Sequence, residues 1–300
     1  MRDATRFFSQ VLQRHLAAAL AEERAVRLAS ARASDIEPLH RMRVALRRLK
    51  CALGDLERVV PASVLELPRV GTTTLLHRLG EARDMDTQLA FLGSVAASPH
   101  ARRHAPGLRE VARALAAERD DAGPLIAAAL DRARRQQVFR AIDELRPALD
   151  ADTTLERWAQ GRVAARLDKV LRLARHAVKP SRERELHDMR IAARNLRYCL
   201  EDLAPLGGAA LRPYVEAAVE VQAALGKVHG YDVSRDFVAR LHERGGLGAR
   251  ERAALRFLGR ACDDARAQAH AEFVALWKKQ RRRGTWGELA AMTDQGGPRR

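Results

Sequence analysis

A chain of 300 residues with a formal net charge of +16 is long enough for one large domain or two of ordinary size. Ala and Leu dominate its apolar residues and aromatic residues make up only 4%, a composition that favours helices and largely excludes a β-rich fold. The three cysteines lie far apart without zinc-site spacing, and no uncharged stretch is long enough to span a bilayer, so we expect a cytoplasmic protein without a transmembrane segment.

The positive charge is distributed along the whole chain. The excess of basic over acidic residues is +6 in residues 1–150, +5 in residues 151–277 and +5 in residues 278–300. Such a field attracts polyanions of several kinds, including nucleic acid, polyphosphate and anionic membranes, without selecting among them. The identity of the partner must therefore come from the motifs.

Helical periodicity runs through most of the chain and is interrupted at a few Gly-rich and Pro-rich points. It predicts about four long helices on each side of residues 147–154. We therefore predict two halves, 1–150 and 151–291, followed by a disordered tail at 292–300. The predicted breaks lie near residues 31–36, 61, 98–107, 123–124, 147–154, 179–180, 205–208 and 245–248.

The two halves share a duplicated motif. The string LHRMRVALRRLK, from Leu39 to Lys50, reappears 147 residues later as LHDMRIAARNLR, from Leu186 to Arg197. A second echo follows, in which a Leu-Gly pair precedes an Asp, at 79–86 and again at 225–232. These matches identify a tandem duplication, which predicts two similar helical bundles.

Each copy of the motif predicts a helix with one apolar face and one basic face. At 100° per residue, His40, Arg43, Arg47 and Lys50 share one side of the first helix, which is about 15 Å long over this stretch. Four stacked cations repel one another, so we expect either acidic neighbours or a bound anion to relieve them. For one helix a salt-bridged, solvated face is the simpler explanation, but the same face at matching positions favours anion binding. The second helix repeats it with His187, Arg190, Arg194 and Arg197.

No motif points to catalysis or metal binding. His40 and His187 have no Ser or Cys nucleophile near them in sequence, and no His, Asp and Glu cluster repeats at metal-ligand spacing. Neither a Walker loop nor a GxGxxG string is present. We therefore expect a binding protein rather than an enzyme, with no catalytic residue, metal or cofactor.

The duplicated motif resembles the CHAD domain, the conserved histidine alpha-helical domain. The resemblance rests on two copies of His-x-Met-Arg-[Val/Ile]-Ala-x-Arg-x-Leu-[Lys/Arg], each followed by the Leu-Gly segment, and covers about residues 4–290. It implies an all-α fold of two four-helix bundles related by a pseudo-two-fold axis, with basic faces lining a central groove or pore that binds inorganic polyphosphate. Members are associated with polyphosphate or polyhydroxyalkanoate granules, so granule association and granule surface proteins as partners are also implied.

The resemblance also implies which residues face the ligand. The second Leu-Gly segment departs from the family, because Gly230 stands where an Asp is usual. The implied polyphosphate-binding residues are His40, Arg43, Arg47, Lys50, His187, Arg190, Arg194 and Arg197, with Arg48, Arg83 and Lys227 as additions.

Two other functions stay open from the residues alone. A nucleic-acid-binding protein is compatible with the charge, but the low aromatic content and the absence of a known motif predict only non-specific contact with nucleic acid. A phosphohydrolase, or an accessory subunit of a polyphosphate-processing enzyme, is the third possibility. The basic run at 278–283 predicts either a nucleic-acid or membrane patch or simply a helix end favoured by its dipole.

Overall fold

The fold is all-α, as predicted. The computed structural model describes residues 2–32, 36–57, 59–147, 149 and 153–294, and these contain α-helices, two short 3₁₀ helices and no strand. The 3₁₀ helices are Pro99–Ala101 and Gly208–Leu211. The α-helices are α1 (Arg2–Ala21), α2 (Glu23–Arg32), α3 (Glu37–Asp55), α4 (Ala62–Ala96), α5 (Ala105–Arg135), α6 (Val138–Asp143), α7 (Leu155–Ala177), α8 (Glu183–Gly207), α9 (Arg212–Arg244), α10 (Ala249–Arg282) and α11 (Thr285–Asp294).

Two compact units make up the chain. Unit 1 comprises Met1–Asp150 with Leu241–Leu258, and unit 2 comprises Ala151–Arg240 with Gly259–Arg300. The segment Leu241–Leu258 therefore groups with the first half rather than with the second, in which the sequence boundaries had placed it. It includes a turn between α9 and α10, where Gly245 and Gly246 have φ of 70° and 72°, a left-handed conformation that costs glycine little.

The segment 123–124 and the first three residues of the segment 292–300, all predicted to be irregular, are helical. The break predicted at 123–124 is wrong, because α5 continues through Pro124. Proline removes the bond to the carbonyl of residue 120, and since Asp120 is exposed, water can replace that bond. The tail predicted at 292–300 starts too early, because α11 extends to Asp294 with its Leu289 buried; residues 295–300 lie outside the described residues.

In unit 1, α3 owes its orientation to one apolar stripe. Leu39, Met42, Leu46, Leu49 and Leu53 recur at helical spacing, and each is at most 2% exposed. The stripe packs α3 against α1 and α4. Burying each of these side chains contributes about 1.5–3 kcal/mol, so the stripe fixes which face of α3 remains for the polar residues.

In unit 2, α8 is built in the same way. Leu186, Met189, Ala193, Leu196 and Leu200 are each at most 2% exposed, and α8 packs against α7. The helix α11 also packs on α7, as α6 packs on α1 in unit 1. The duplication seen in sequence is therefore repeated in how the helices pair.

The duplication extends beyond the motif to buried ion pairs and turns. Asp86 of α4 pairs with Arg119 of α5 at 2.6 Å, and the matching Asp232 of α9 pairs with Arg266 of α10. Before α6 the residue at position 137 has φ of 56°, and before α11 the matching Gly284 has φ of 77°. A matching buried ion pair and a matching residue with positive φ therefore recur in both repeats.

Candidate functional site: two histidine and arginine clusters

The first cluster lies in unit 1 and consists of His40, Arg43 and Arg47 of α3 with Arg83 of α4. All four side chains are half-buried. Arg83 is the charged residue with the strongest influence on His40, followed among the cations by Arg47 and Arg43. The structure therefore brings four of the predicted residues together, three from the duplicated motif and one from the Leu-Gly segment.

In this cluster the side chain of Arg43 lies close to two residues of α4, Asp84 and Gly80. Its Nη1 atom is 3.8 Å from a carboxylate oxygen of Asp84 on α4. A Cβ atom at Gly80 would lie 3.4 Å from Nη2 of Arg43, so the Gly of the Leu-Gly pair leaves room for the guanidinium group. Asp84 is thus an acidic neighbour of the kind expected to relieve the repulsion between the cations. Its side chain is 68% exposed, however, so it screens the cluster weakly.

His40 is held in its neutral form at pH 7. Burial lowers its pKa below 6.5, and the positive charges of Arg83, Arg47 and Arg43 lower it further, against an opposing effect of Glu37. A bound anion would offset both effects by supplying negative charge. His40 can therefore become cationic when an anion is bound.

The second cluster lies in unit 2 and consists of His187, Arg190 and Arg194 of α8 with His229 of α9. The Nδ1 atoms of His187 and His229 are 3.4 Å apart, and their ring centroids are 4.8 Å apart with planes at 56°. At this distance one neutral ring donates its Nδ1–H and the other accepts. Both arginines are half-buried beside the pair.

Both histidines of the second cluster have lowered pKa values. Burial, followed by the charges of Arg190, His187 and Arg194, lowers the pKa of His229 to about 4. Burial and the same two arginines lower the pKa of His187, although the carboxylates of Asp188 and Asp232 oppose this. At neutral pH the pair is therefore uncharged.

His229 is not among the residues that the sequence predicted for the site. When the segment 225–232 is aligned with 79–86, His229 falls at the position of Arg83 and Gly230 at the position of Asp84. The second cluster thus has a titratable group where the first has a permanent cation, and it has no carboxylate where the first has Asp84. This alignment could have identified His229 from sequence.

The four motif arginines occupy matching environments in the two repeats. The Nε atom of each is buried and donates no hydrogen bond within the part of the chain that the structure describes. Arg47 also forms no ion pair with a residue that the structure describes. The arginines concerned are Arg43, Arg47, Arg190 and Arg194.

The structure places two other predicted residues in ion pairs of their own. Arg197 donates to Glu201 at 2.7 Å and to Gln222 at 3.4 Å, so much of its charge is neutralised within unit 2. Lys227 is exposed and pairs with Glu272 at 3.2 Å. Because it precedes His229 by two residues on α9, it leaves the helix on nearly the opposite side.

The remaining predicted residues lie beyond the first cluster along α3. Arg48 is half-buried, and Lys50 is exposed in the last turns of the helix. Lys50 lines a surface groove of about 860 Å³ between the end of α3 and the start of α4. These two cations extend the basic side of α3 away from His40.

Within the described ranges, no group of three or more His, Cys, Asp or Glu side chains is arranged to hold a metal ion. None of the helices that the structure describes has the length and apolar character of a membrane-spanning segment.

The fold and the two clusters define a class of protein: it is all-helical and internally duplicated, and each repeat carries a cluster of histidine and arginine side chains. The chain belongs to the CHAD domain family, because the family model matches residues 10–239. The fold is similar to the CHAD domain structure from the plant Ricinus communis, with a TM-score of 0.71 and 24% identity over 91% of this chain and 89% of that one. It is also similar to PptA from Streptomyces chartreusis, with a TM-score of 0.68 and 14% identity over 91% of this chain and 99% of that one. No curated protein matches the chain.

Proposed function

We propose that the protein binds inorganic polyphosphate through its two clusters. The observation that carries this proposal is the repetition of half-buried histidine and arginine side chains at matching positions of α3 and α8. Membership of the CHAD domain family supports the choice of polyphosphate, since the family resemblance implies that ligand. Association with polyphosphate or polyhydroxyalkanoate granules is part of the same proposal.

The side chains suit a linear chain of phosphates for physical reasons. The guanidinium group of Arg forms two parallel hydrogen bonds to phosphate oxygens, and such charge-assisted bonds are about twice as strong as neutral ones. Half-burial reduces screening by solvent and strengthens these contacts. Binding also releases counterions, so affinity should fall steeply with salt.

Nucleic acid is the main competing ligand, and the aromatic residues argue against it. Binders of single-stranded nucleic acid stack bases on exposed aromatic side chains, at about 1–3 kcal/mol per base. All Phe, Tyr and Trp residues of the chain fall within the described ranges, and each is buried or half-buried. This surface offers charge without a stacking platform.

Competition between the two polymers tests the proposal. We expect long-chain polyphosphate to displace labelled single-stranded DNA of equal total charge at a lower concentration than unlabelled DNA does. Fluorescence anisotropy at fixed ionic strength measures this displacement. Equal displacement by DNA or heparin would show that only charge density matters.

The proposal is binding without cleavage. The two clusters hold cations and histidines, and the described residues near them include no arrangement of metal-binding side chains that would activate water. A polyphosphate sample incubated with the protein and Mg²⁺ should therefore keep its chain length on a gel. Release of phosphate would instead support the phosphohydrolase alternative.

Binding should strengthen as pH falls. The pKa of His229 is about 4 and those of His40 and His187 are below 6.5 in the free protein, whereas bound phosphates favour the protonated rings. The pKa values therefore rise on binding, and the protein takes up protons between the free and bound values. Calorimetry at pH 6 in two buffers of different ionisation enthalpy measures this uptake.

Two matched double variants show which histidines take up the protons. His187→Gln with His229→Gln should reduce it, whereas His100→Gln with His242→Gln should not, because those two histidines are exposed and belong to neither cluster. Affinity that is the same at pH 8 and pH 5.5 would contradict the assignment of these rings to the site.

A further inference from the structure

The end of α10 and the residue that follows it carry five basic side chains that the two clusters do not use. All five are exposed, and none forms an ion pair with any residue that the structure describes. Like charges at i,i+4 on a helix repel by a few tenths of a kcal/mol per pair, so this arrangement favours an external anion. The five are Lys278, Lys279, Arg281, Arg282 and Arg283.

The second half of α7 carries further cations, and its last turn lies next to α10. Nε2 of His270 on α10 is 3.1 Å from the carbonyl oxygen of Ala177, which places α10 next to the last turn of α7. Lys278 and Arg282 line one wall of a groove of about 510 Å³ that also includes Val178. Lys169, Arg175 and His176 line a second groove, of about 390 Å³, along α7.

In the first repeat, ion pairs neutralise the matching surface. The residue 147 positions before Lys278 is Asp131 at the end of α5, and it pairs with Arg27 of α2 at 2.8 Å. Arg134 of α5, which matches Arg281, pairs with Glu23 of α2 at 2.5 Å. Side-chain hydrogen bonds from Arg134 and Arg27 outweigh burial and lower the pKa of Glu23, so unit 1 keeps a closed ion-pair network there.

The second repeat lacks this ion-pair network among the residues that the structure describes. Lysine replaces the aspartate of α5, and Arg281 has no carboxylate partner within the described residues, in contrast to Arg134. The change raises the local charge at matching positions of the same fold. Because the two repeats share helix pairing and turns, this difference belongs to the surface and not to the architecture.

We infer that Lys169, Arg175, Lys278 and Arg282 form a second polyphosphate-binding surface on unit 2, here called the outer basic surface. The inference rests on the proposed function and adds to it a site separate from the second cluster. Cations along two adjacent helices match a chain whose charges repeat in one dimension. A long chain that contacts both sites gains affinity from the raised effective concentration of its free end.

Other polyanionic partners suit this surface less well. Nucleic acid would lack aromatic stacking, because Trp277 and Trp286 nearby are each 3% exposed and stack on one another at 5.7 Å. A membrane would need exposed apolar side chains, and both Val178 and Val274 in the groove are half-buried. An acidic protein segment is left as an outcome of the test.

Lysine footprinting tests the inference directly, because the chain contains only six lysines. Long-chain polyphosphate should protect Lys169 and Lys278 from an amine-reactive reagent at least about threefold, as read by mass spectrometry, since bound phosphates occupy the ammonium groups. Polyglutamate at equal total charge should protect them less. Absence of protection, or equal protection by polyglutamate, would overturn the inference.

Two matched double variants measure how much the outer basic surface contributes to affinity. Lys278→Gln with Arg282→Gln should weaken binding of long-chain polyphosphate about fivefold and reduce its salt slope by about two, since each lost cation releases about one counterion fewer. Arg132→Gln with Arg135→Gln removes the same charge from the matching end of α5 and should change affinity less than about twofold.

The outcomes separate this inference from the proposed function. If the α5 variant weakens binding as much as the α10 variant, only net charge matters and the outer basic surface is rejected. If the α10 variant matches its control while a variant of the clusters loses affinity, the inference fails and the proposed function stands. If the wild-type protein shows no preference for polyphosphate over DNA, the proposed function fails and the inference fails with it.

Discussion

Replacement of Arg43 and Arg190 together with alanine should weaken polyphosphate binding by about a hundredfold. The two residues hold matching positions in the two clusters, and each is half-buried beside a histidine. A hydrogen bond to a charged group contributes about 1.5–3 kcal/mol, and 1.4 kcal/mol corresponds to a factor of ten in affinity. Titration with polyphosphates of defined chain length measures the change, and the salt slope should fall by about two.

The fold should survive this double replacement. The Nε atoms of Arg43 and Arg190 donate no hydrogen bond within the described residues, and the apolar stripes of α3 and α8 are untouched. The control is Arg102→Ala with Arg103→Ala, two exposed cations between α4 and α5. An equal loss of affinity in the control, or a loss of helical circular dichroism in the first variant, would count against a defined site.

The parts of the fold that sequence predicted are those that repeat along one helix. The stripe from Leu39 to Leu53 and its copy in α8 depend on spacing alone, so the buried face and the basic face both follow from helical geometry. The same reasoning predicted His40, Arg43 and Arg47, which the structure indeed brings together with Arg83.

The parts that sequence did not predict depend on neighbours from other helices. Lys227 is basic and close to the motif, yet Glu272 of α10 pairs with it. Arg197 is the exception, because its partner Glu201 lies four residues further along α8 and spacing alone could have predicted that pair. His229 lies beside His187 because α9 packs on α8, a contact between residues 42 positions apart. Spacing along one helix cannot show which carboxylate or ring a second helix brings to it.

Replacement of Arg119 with leucine should lower the free energy of unfolding of unit 1 by about 3–5 kcal/mol. The side chains of Arg119 and Asp86 are 6% and 3% exposed and pair at 2.6 Å. Removal of the cation leaves the Asp86 carboxylate buried without compensation, which is the costly way to break such a pair. Chemical denaturation followed by circular dichroism measures the loss.

The matching pair in unit 2 provides a comparison in which the carboxylate is less buried. Arg266→Leu should cost less, because Asp232 is 17% exposed and water can solvate the carboxylate that remains. Replacing Asp86 and Arg119 together with leucine should recover most of the stability, since an apolar pair of similar volume needs no desolvation of charge. If the double variant is as unstable as Arg119→Leu alone, the loss comes from packing at the α4–α5 contact, and the buried charge is not its cause.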